Sequence, residues 1–376
     1  MTLIRFLFLI PRLSCAQNRK NCIRQKKILI FLSYYDIMEK TSIYLKMRNG
    51  ECYMKHIFVV NPAAGKANPA AEIKRALEEL PTQVDWDIYL TRERGDATAF
   101  VREYCRTHTD RVRFYACGGD GTLNEVASGV VGHPQASLGC YPSGSGNDFV
   151  KYYGGKDAFL DVRALIEADE EAIDIMRVGD RYAINATHFG FDSCVAQIMM
   201  KVRRKKLIGG KNAYTTGVVV GLFKAMKNAC RVFVDGELLN PKGTILLCTV
   251  ANGQYVGGSF RCAPRSLDND GLLEVCLVRP VSHFTFLSLI DDYKKGLHLD
   301  NSRFEKYITY RRGKSITVEA PEGFIYSLDG ELLQSPRFTV EVLPRAIRFA
   351  VPRGAKPIIG ESHVAVQPAE EAYAGV

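Results

Sequence analysis

The sequence lacks several features that would fix its class at once. Its 376 residues contain no run of eighteen or more apolar residues, so no membrane-spanning helix is expected. It has no CxxC pair. Cys105, Cys117, Cys140, Cys194, Cys230, Cys248, Cys262 and Cys276, of eleven cysteines in all, stand singly and mostly inside apolar stretches. That pattern excludes the usual zinc modules and reads as reduced thiols in a cytoplasmic protein. The seven histidines are equally dispersed, without the spacing of a ligand cluster. Neither GxxxxGK[ST] nor GxGxxG is present, which excludes a P-loop and the common dinucleotide fingerprint.

Positive charge is scarce where it would matter for nucleic acid. The net charge is +9, but residues 1–53 hold ten basic and three acidic residues, a balance of +7, which leaves +2 for the rest. No nucleic-acid partner is therefore expected for the body of the chain. "TLIRFLFLIPRLSCA" resembles a short signal-peptide core, but the cysteine usage argues against export. Met54 opens "MKHIFVVNPAAGK", where a natural first strand begins. Residues 1–53 are read as a basic extension, disordered or added by a misplaced start, and dispensable.

From Met54 the pattern becomes orderly. "HIFVVN", "VDWDIYLT", "RVRFYAC" and "ASLGCYP" read as strands. They alternate with the helices "AAEIKRALEEL", "GDATAFVREYCRTH" and a stretch from Thr122 to about Val131, and the helical "FVKYYGG" follows the fourth strand. Such alternation gives a parallel sheet covered on both faces. From about Ile173 to Ala350 short strands and Asp-Gly turns take over, interrupted by helical stretches near 211–227 and 283–297. The expected architecture is α/β: a parallel-sheet nucleotide-binding domain over 54–180, then a mostly antiparallel β-rich domain over 181–352. The last strand returns to the first domain, and residues 353–376 form a tail.

Three strand-to-helix loops, "NPAAGK", "GGDGT" and "SGSGND", follow successive strands of one sheet. In an open parallel sheet they gather at the carboxyl edge, where ligands bind. Glycines let main-chain N–H groups face a phosphate, and a helix N-terminus adds about half a positive charge. Asp120 is odd for anion binding alone and makes sense if a divalent cation bridges it to phosphates.

These residues are familiar as a set. Asn61-Pro62-Ala63-Ala64-Gly65, Gly118-Gly119-Asp120-Gly121-Thr122 with Asn124-Glu125, and Pro142 through Phe149 resemble the diacylglycerol kinase catalytic domain. They are closer still to the bacterial soluble lipid kinases related to sphingosine and ceramide kinases. Asn185, Gly190-Phe191-Asp192, Asn252, Gly257-Gly258, Ala263-Pro264, Asp270-Gly271-Leu272 and Asp329-Gly330-Glu331 extend the match over about residues 54–352. The resemblance implies an ATP- and Mg²⁺-dependent kinase of a lipid hydroxyl, most simply diacylglycerol. Phosphatidylglycerol, a sphingoid base or ceramide stay open as acceptors, with an NAD kinase as the competing reading.

Carried over by matching position, the nucleotide contacts fall on Asn61, Pro62, Ala63, Ala64, Gly65 and Thr91. They continue through Gly118, Gly119, Asp120, Gly121, Thr122, Leu123, Asn124 and Glu125 to Ser145. Lys66 is either a phosphate partner or a solvated loop lysine. The resemblance assigns Glu331 as proton acceptor with Asp329 beside it. It also implies a structural Mg²⁺ held by the Asp270 side chain and the carbonyls of Leu267 and Leu272. "VDGELL" (234–239) and "LDGELL" (328–333) are equally good hairpin signals, and spacing alone does not separate them. Finally, "KVRRKKLIGGK" (201–211) puts six cations in eleven residues. It reads as a peripheral contact with an anionic membrane or as a solvated run. A homodimer is left open.

Overall fold

The computed structural model describes residues 54–65, 68–204 and 225–358, with side chains described outside 199–204. The extension 1–53, Lys66, most of the helix expected near 211–227 and most of the tail lie outside the described residues. So do the side chains of the basic run 201–211.

The first half alternates as its sequence predicts. Strands β1 (Lys55–Val60), β2 (Asp85–Leu90), β3 (Val112–Gly118) and β4 (Ala136–Pro142) are interleaved with α1 (Ala70–Glu78), α2 (Asp96–Thr107) and α3 (Asp120–Val130). The strands pair in the order β4-β3-β1-β2, all parallel. β3 and β4 are buried at every position, which is why they are apolar runs rather than alternating ones. The helices lay one stripe on the sheet: Ile73 and Leu77 from α1, and Ala97, Val101 and Cys105 from α2. A 3-10 turn over Phe149–Tyr153 and the short α4 (Val162–Ile166) complete this half.

The second half is β-rich. It comprises β5 (Asp169–Val178), β6 (Arg181–Ala183), β7 (Ala186–Gly190), α5 (Phe191–Arg204), β8 (Asn228–Ala229), β9 (Arg231–Val234) and β10 (Glu237–Leu238). Then come β11 (Thr244–Ile245), β12 (Leu247–Ala251), β13 (Leu273–Val278), α6 (His283–Lys294) and β14 (Ile308–Gly313). The chain closes with β15 (Ser315–Glu319), β16 (Ile325–Leu328), β17 (Glu331–Gln334) and β18 (Arg337–Val351). A six-stranded antiparallel sheet runs β14-β13-β12-β7-β16-β17.

β18 joins the halves, as expected. It pairs antiparallel with β15 and β5, and Phe349 lies beside Leu138 of β4 in parallel register. One sheet therefore runs from β10 through β18 to the parallel strands. The boundary expected near residue 180 falls in the β5–β6 hairpin, whose strands both belong to that sheet. Phe149, Tyr153 and Phe159 pack their rings on Phe349, so the closing strand is anchored in the aromatic core of the first half. Cys105, Cys117, Cys140, Cys230, Cys248, Cys262 and Cys276 are buried thiols, as their apolar surroundings predict.

Candidate active site

The three glycine loops meet at the carboxyl edge of β1, β3 and β4. Asn61 ends β1; its Oδ1 accepts the Ala63 N–H at 3.0 Å and its Nδ2 donates to Thr122 Oγ1 at 3.1 Å. The first loop is thereby tied to α3. It also touches the third loop, since a Cβ on Gly65 would lie 2.1 Å from the Ser143 carbonyl oxygen. Ser143 and Gly144 N–H groups both donate to the Gly118 carbonyl, at 2.9 and 3.1 Å. A Cβ on Gly144 would come within 2.3 Å of Gly119 Cα. Part of the glycine content therefore serves main-chain packing between loops.

Asp120 is the first residue of α3. Its Oδ1 accepts the Asp148 N–H at 2.5 Å, and its Oδ2 lies where a Cβ on Gly146 would come within 2.5 Å. Burial first, and the Asp148 charge second, hold its pKa above the ordinary aspartate value. Thr122 and Leu123 are buried, so Leu123 is a packing residue of the loop. Pro62, Ala63, Gly121 and Ser145 are exposed around the loop mouth. Thr91 follows β2 and donates its N–H to Val60 at 2.9 Å. Glu125 gives its carbonyl to Thr98 Oγ1 at 2.7 Å. Asn124 Oδ1, Ser143 Oγ and Asn147 Oδ1 are buried without a hydrogen-bond partner, so the loops keep polar capacity in reserve.

The second half brings one carboxylate, Asp329, within reach of the Asp120 charge. Asp329 and Gly330 form the turn between β16 and β17, with φ of +45° and +84°. The Asp329 carboxylate accepts N–H groups from Ile184 at 2.7 Å, Asn185 at 3.1 Å and Ala186 at 2.8 Å. Burial pushes its pKa up to about 7, the three N–H bonds pull it down, and the negative charge of Asp120 adds to the rise. Glu331 points elsewhere, with Arg94 at 2.8 Å and Arg181 at 3.0 Å on its two oxygens. Asp120 and Asp329 thus share an electrostatic neighbourhood, whereas Glu331 is held by two arginines.

The sequence did not single out Arg94, Arg181 or Lys151. Arginines in a loop and at a strand start carry no local signal, because only the fold brings them to Glu331. Lys151 lies in an aromatic stretch that reads as packing, yet its Nζ lies 2.5 Å from Asp148 Oδ1.

Among the described residues no three His, Cys, Asp or Glu side chains are grouped closely enough to hold a metal ion by themselves. Asp120 is the carboxylate among the glycine loops that would serve a cation carried in with phosphates; burial first, then the Asp148 charge, raise its pKa, and Lys151 opposes the rise. The loop carrying Leu267, Asp270 and Leu272 is different. Asp270 Oδ1 accepts the Leu272 N–H at 3.0 Å, and its other oxygen is paired with Arg312, which also holds Glu274 at 2.9 Å. Arg312 thus neutralises the Asp270 carboxylate, and the carbonyls of Leu267 and Leu272 would be the remaining oxygen donors of the implied site.

Two family models match the chain. Residues 55–178 match the diacylglycerol kinase catalytic domain, and residues 185–351 match the YegS C-terminal NAD kinase beta sandwich-like domain. A Pectobacterium atrosepticum protein named "Probable lipid kinase YegS-like" is 30% identical over 295 residues, covering 77% of this chain and 94% of that protein. One of the same name from Shewanella frigidimarina is 29% identical over 298 residues, covering 77% and 92%. The crystal structure of a "putative diacylglycerol kinase" from Bacillus anthracis superimposes with a TM-score of 0.63 at 22% identity. That match covers 81% of this chain and 99% of the other, and it establishes the shared fold.

Proposed function

From the chain's membership of the YegS-like lipid kinases, with their diacylglycerol kinase catalytic domain, we propose that it transfers the γ-phosphoryl group of ATP to the hydroxyl of diacylglycerol. The observation that carries the reading is the placement of Asp120. It starts a helix among three glycine loops, and its charge is felt by Asp329 from the other half.

In this reading ATP lies along the carboxyl edge of β1, β3 and β4, with its phosphates at the N-terminus of α3. Mg²⁺ bound with ATP would be held beside Asp120 and would offset phosphate charge. The acceptor hydroxyl enters from the β16–β17 side and gives its proton to a carboxylate there. Asp329 suits that task better than Glu331, because burial pushes its pKa up to about 7, near the working range of a general base. Glu331 instead fixes Arg94 and Arg181 at the rim, where guanidinium charge can steady a phosphoryl group. The basic run 201–211 belongs to this reading as a contact with an anionic membrane, and its side chains lie outside the described residues.

The NAD kinase reading draws on the description of the second domain as NAD kinase-like. The lipid reading is preferred because the Shewanella frigidimarina and Pectobacterium atrosepticum relatives bear lipid kinase names. Incubation with γ-labelled ATP and either diacylglycerol or NAD separates the two by which acceptor takes the label.

A further inference from the structure

Lys151 stands one turn after Asp148, in the 3-10 segment that follows the third glycine loop. Its ammonium donates to Asp148 Oδ1 at 2.5 Å and to the Gly258 carbonyl at 2.7 Å. The Gly258 N–H in turn donates to both Asp148 oxygens at 3.0 Å. Both polar groups of one residue in the Gly257–Gly258 turn are therefore gripped by one ion pair. The pair is well shielded, with the Asp148 side chain 10% and the Lys151 side chain 26% exposed.

The ring has an arm toward each carboxylate of the site. On one side the Asp148 main chain donates to Asp120 at 2.5 Å. On the other, the turn continues from Tyr255, whose carbonyl accepts Asn185 Nδ2 at 2.9 Å, and the Asn185 N–H donates to Asp329 at 3.1 Å. The Lys151 ammonium also lies 5.9 Å from the centre of the Tyr255 ring. The bonds from Lys151 and Asp148 to Gly258 cross from the nucleotide half to the β-rich half, and the remaining hydrogen bonds carry the connection on within each half.

We propose that Lys151 is a positioning residue for phosphoryl transfer. With Asp148 it clamps the Gly257–Gly258 turn onto the third glycine loop and so fixes the separation of Asp120 and Asp329. Lysine suits the position because a compact ammonium can serve a carboxylate and a carbonyl in different directions. Removing it leaves Asp148 a shielded anion whose remaining side-chain partner is the Gly258 N–H. The first two glycine loops, which the kinase reading places on ATP, are untouched, so the damage should fall on alignment rather than on nucleotide binding. The inference rests on the kinase reading, but its first test does not.

That test is amide hydrogen exchange across residues 253–261 in wild type, Lys151→Met and Lys151→Arg. The Met variant should lose protection at Gly258 while its global unfolding midpoint stays close to wild type, and the Arg variant should keep most of the protection. Unchanged protection in Lys151→Met overturns the clamp, whether or not the protein phosphorylates lipid. The second readout is kinetic: Lys151→Met should lower kcat by at least about 30-fold with less than about 3-fold change in the ATP KM. The double variant Asp148→Asn/Lys151→Met should be no worse than about 3-fold below the poorer single variant, because the pair acts as a unit. A loss confined to KM, or single losses that multiply in the double variant, would contradict a positioning role. Should Lys151→Met fail to fold, the Lys151→Arg and Lys151→Gln pair carries the same comparison: Gln losing protection and turnover where Arg keeps them supports the clamp, and equal behaviour overturns it.

Discussion

Asp235 and Asp329 occupy the same turn twice over. Each precedes a glycine between two antiparallel strands, with φ of +48° and +45°, and each folds its carboxylate onto main-chain N–H groups of a neighbouring segment. Asp235 takes those of Lys314 and Ser315 at 2.9 and 2.8 Å, as Asp329 takes those of Ile184, Asn185 and Ala186. What separates them is location. Asp235 is exposed, whereas Asp329 is partly enclosed and feels the charge of Asp120.

That relationship makes each residue a control for the other. Asp235→Asn and Asp329→Asn remove the same kind of cap; Asp235→Asn should cost about 1–2 kcal/mol of stability in denaturant unfolding, and Asp329→Asn less, because burial already disfavours its charge. Only Asp329→Asn should also lose at least ~10²-fold in turnover, the scale of lost general-base assistance. Equal turnover in the two would reduce Asp329 to a turn residue.

Glu331 and Glu237 extend the comparison. Glu237 is exposed on β10, and Glu331 holds Arg94 and Arg181. Glu237→Gln should leave turnover unchanged. Glu331→Gln should lower it by about 10-fold, through loosened arginines. A loss of ~10²-fold or more from Glu331→Gln, with Asp329→Asn nearly normal, would move the proton acceptor to Glu331.

The space around Asp120 gives a steric test. A Cβ at Gly146 would come within 2.5 Å of Asp120 Oδ2, whereas one at Gly121 would meet nothing within 4 Å. Gly146→Ala should therefore displace the carboxylate and cut activity by at least about 10-fold. Gly121→Ala serves as a folding control, and its unfolding midpoint should match or exceed wild type, since alanine favours a helix. A Gly146→Ala enzyme as active as wild type would detach Asp120 from the chemistry.

His56 predicts a pH dependence of stability. It is buried with Nδ1 2.8 Å from Tyr115 Oη, and burial, then Arg113, lower its pKa to about 4. Between that value and an unfolded pKa of about 6.5, the unfolded chain binds a proton that the folded chain does not. The contribution is thus fully present above about 6.5 and lost as pH falls toward 4. Relative to His56→Gln, the wild type should lose about 2 kcal/mol between pH 7.5 and 5 in denaturant titrations. A difference that does not change with pH would contradict the buried neutral state.

Local patterns made much of this legible. Continuous apolar runs gave β3 and β4, spacing of four gave α1 and α2, and the return of β18 was expected. α5 was not foreseen, because among the described residues of "FDSCVAQIMMKVRR" the apolar side chains fully committed to the core are Phe191 and Val195, and the chain around it is strand-like. The glycine loops were located, and the structure adds that Gly119 and Gly144 pack one main chain against another. The arginines at Glu331 and the Arg312 partner of Asp270 are contacts between residues 42 to 237 positions apart, and the Lys151–Asp148 pair, though three residues apart, closes its ring through a carbonyl 107 away. No local pattern encodes such pairs.

The most direct measurement is an acceptor panel with γ-labelled ATP and Mg²⁺, comparing wild type with Asp120→Asn and identifying products by mass. Diacylglycerol, phosphatidylglycerol, a sphingoid base, ceramide and NAD should be offered separately. The account predicts label on diacylglycerol, and a loss of at least about 10³-fold in Asp120→Asn with stability within about 1 kcal/mol of wild type. Label on NAD alone, no lipid labelled at all, or near-normal lipid phosphorylation by Asp120→Asn would contradict it.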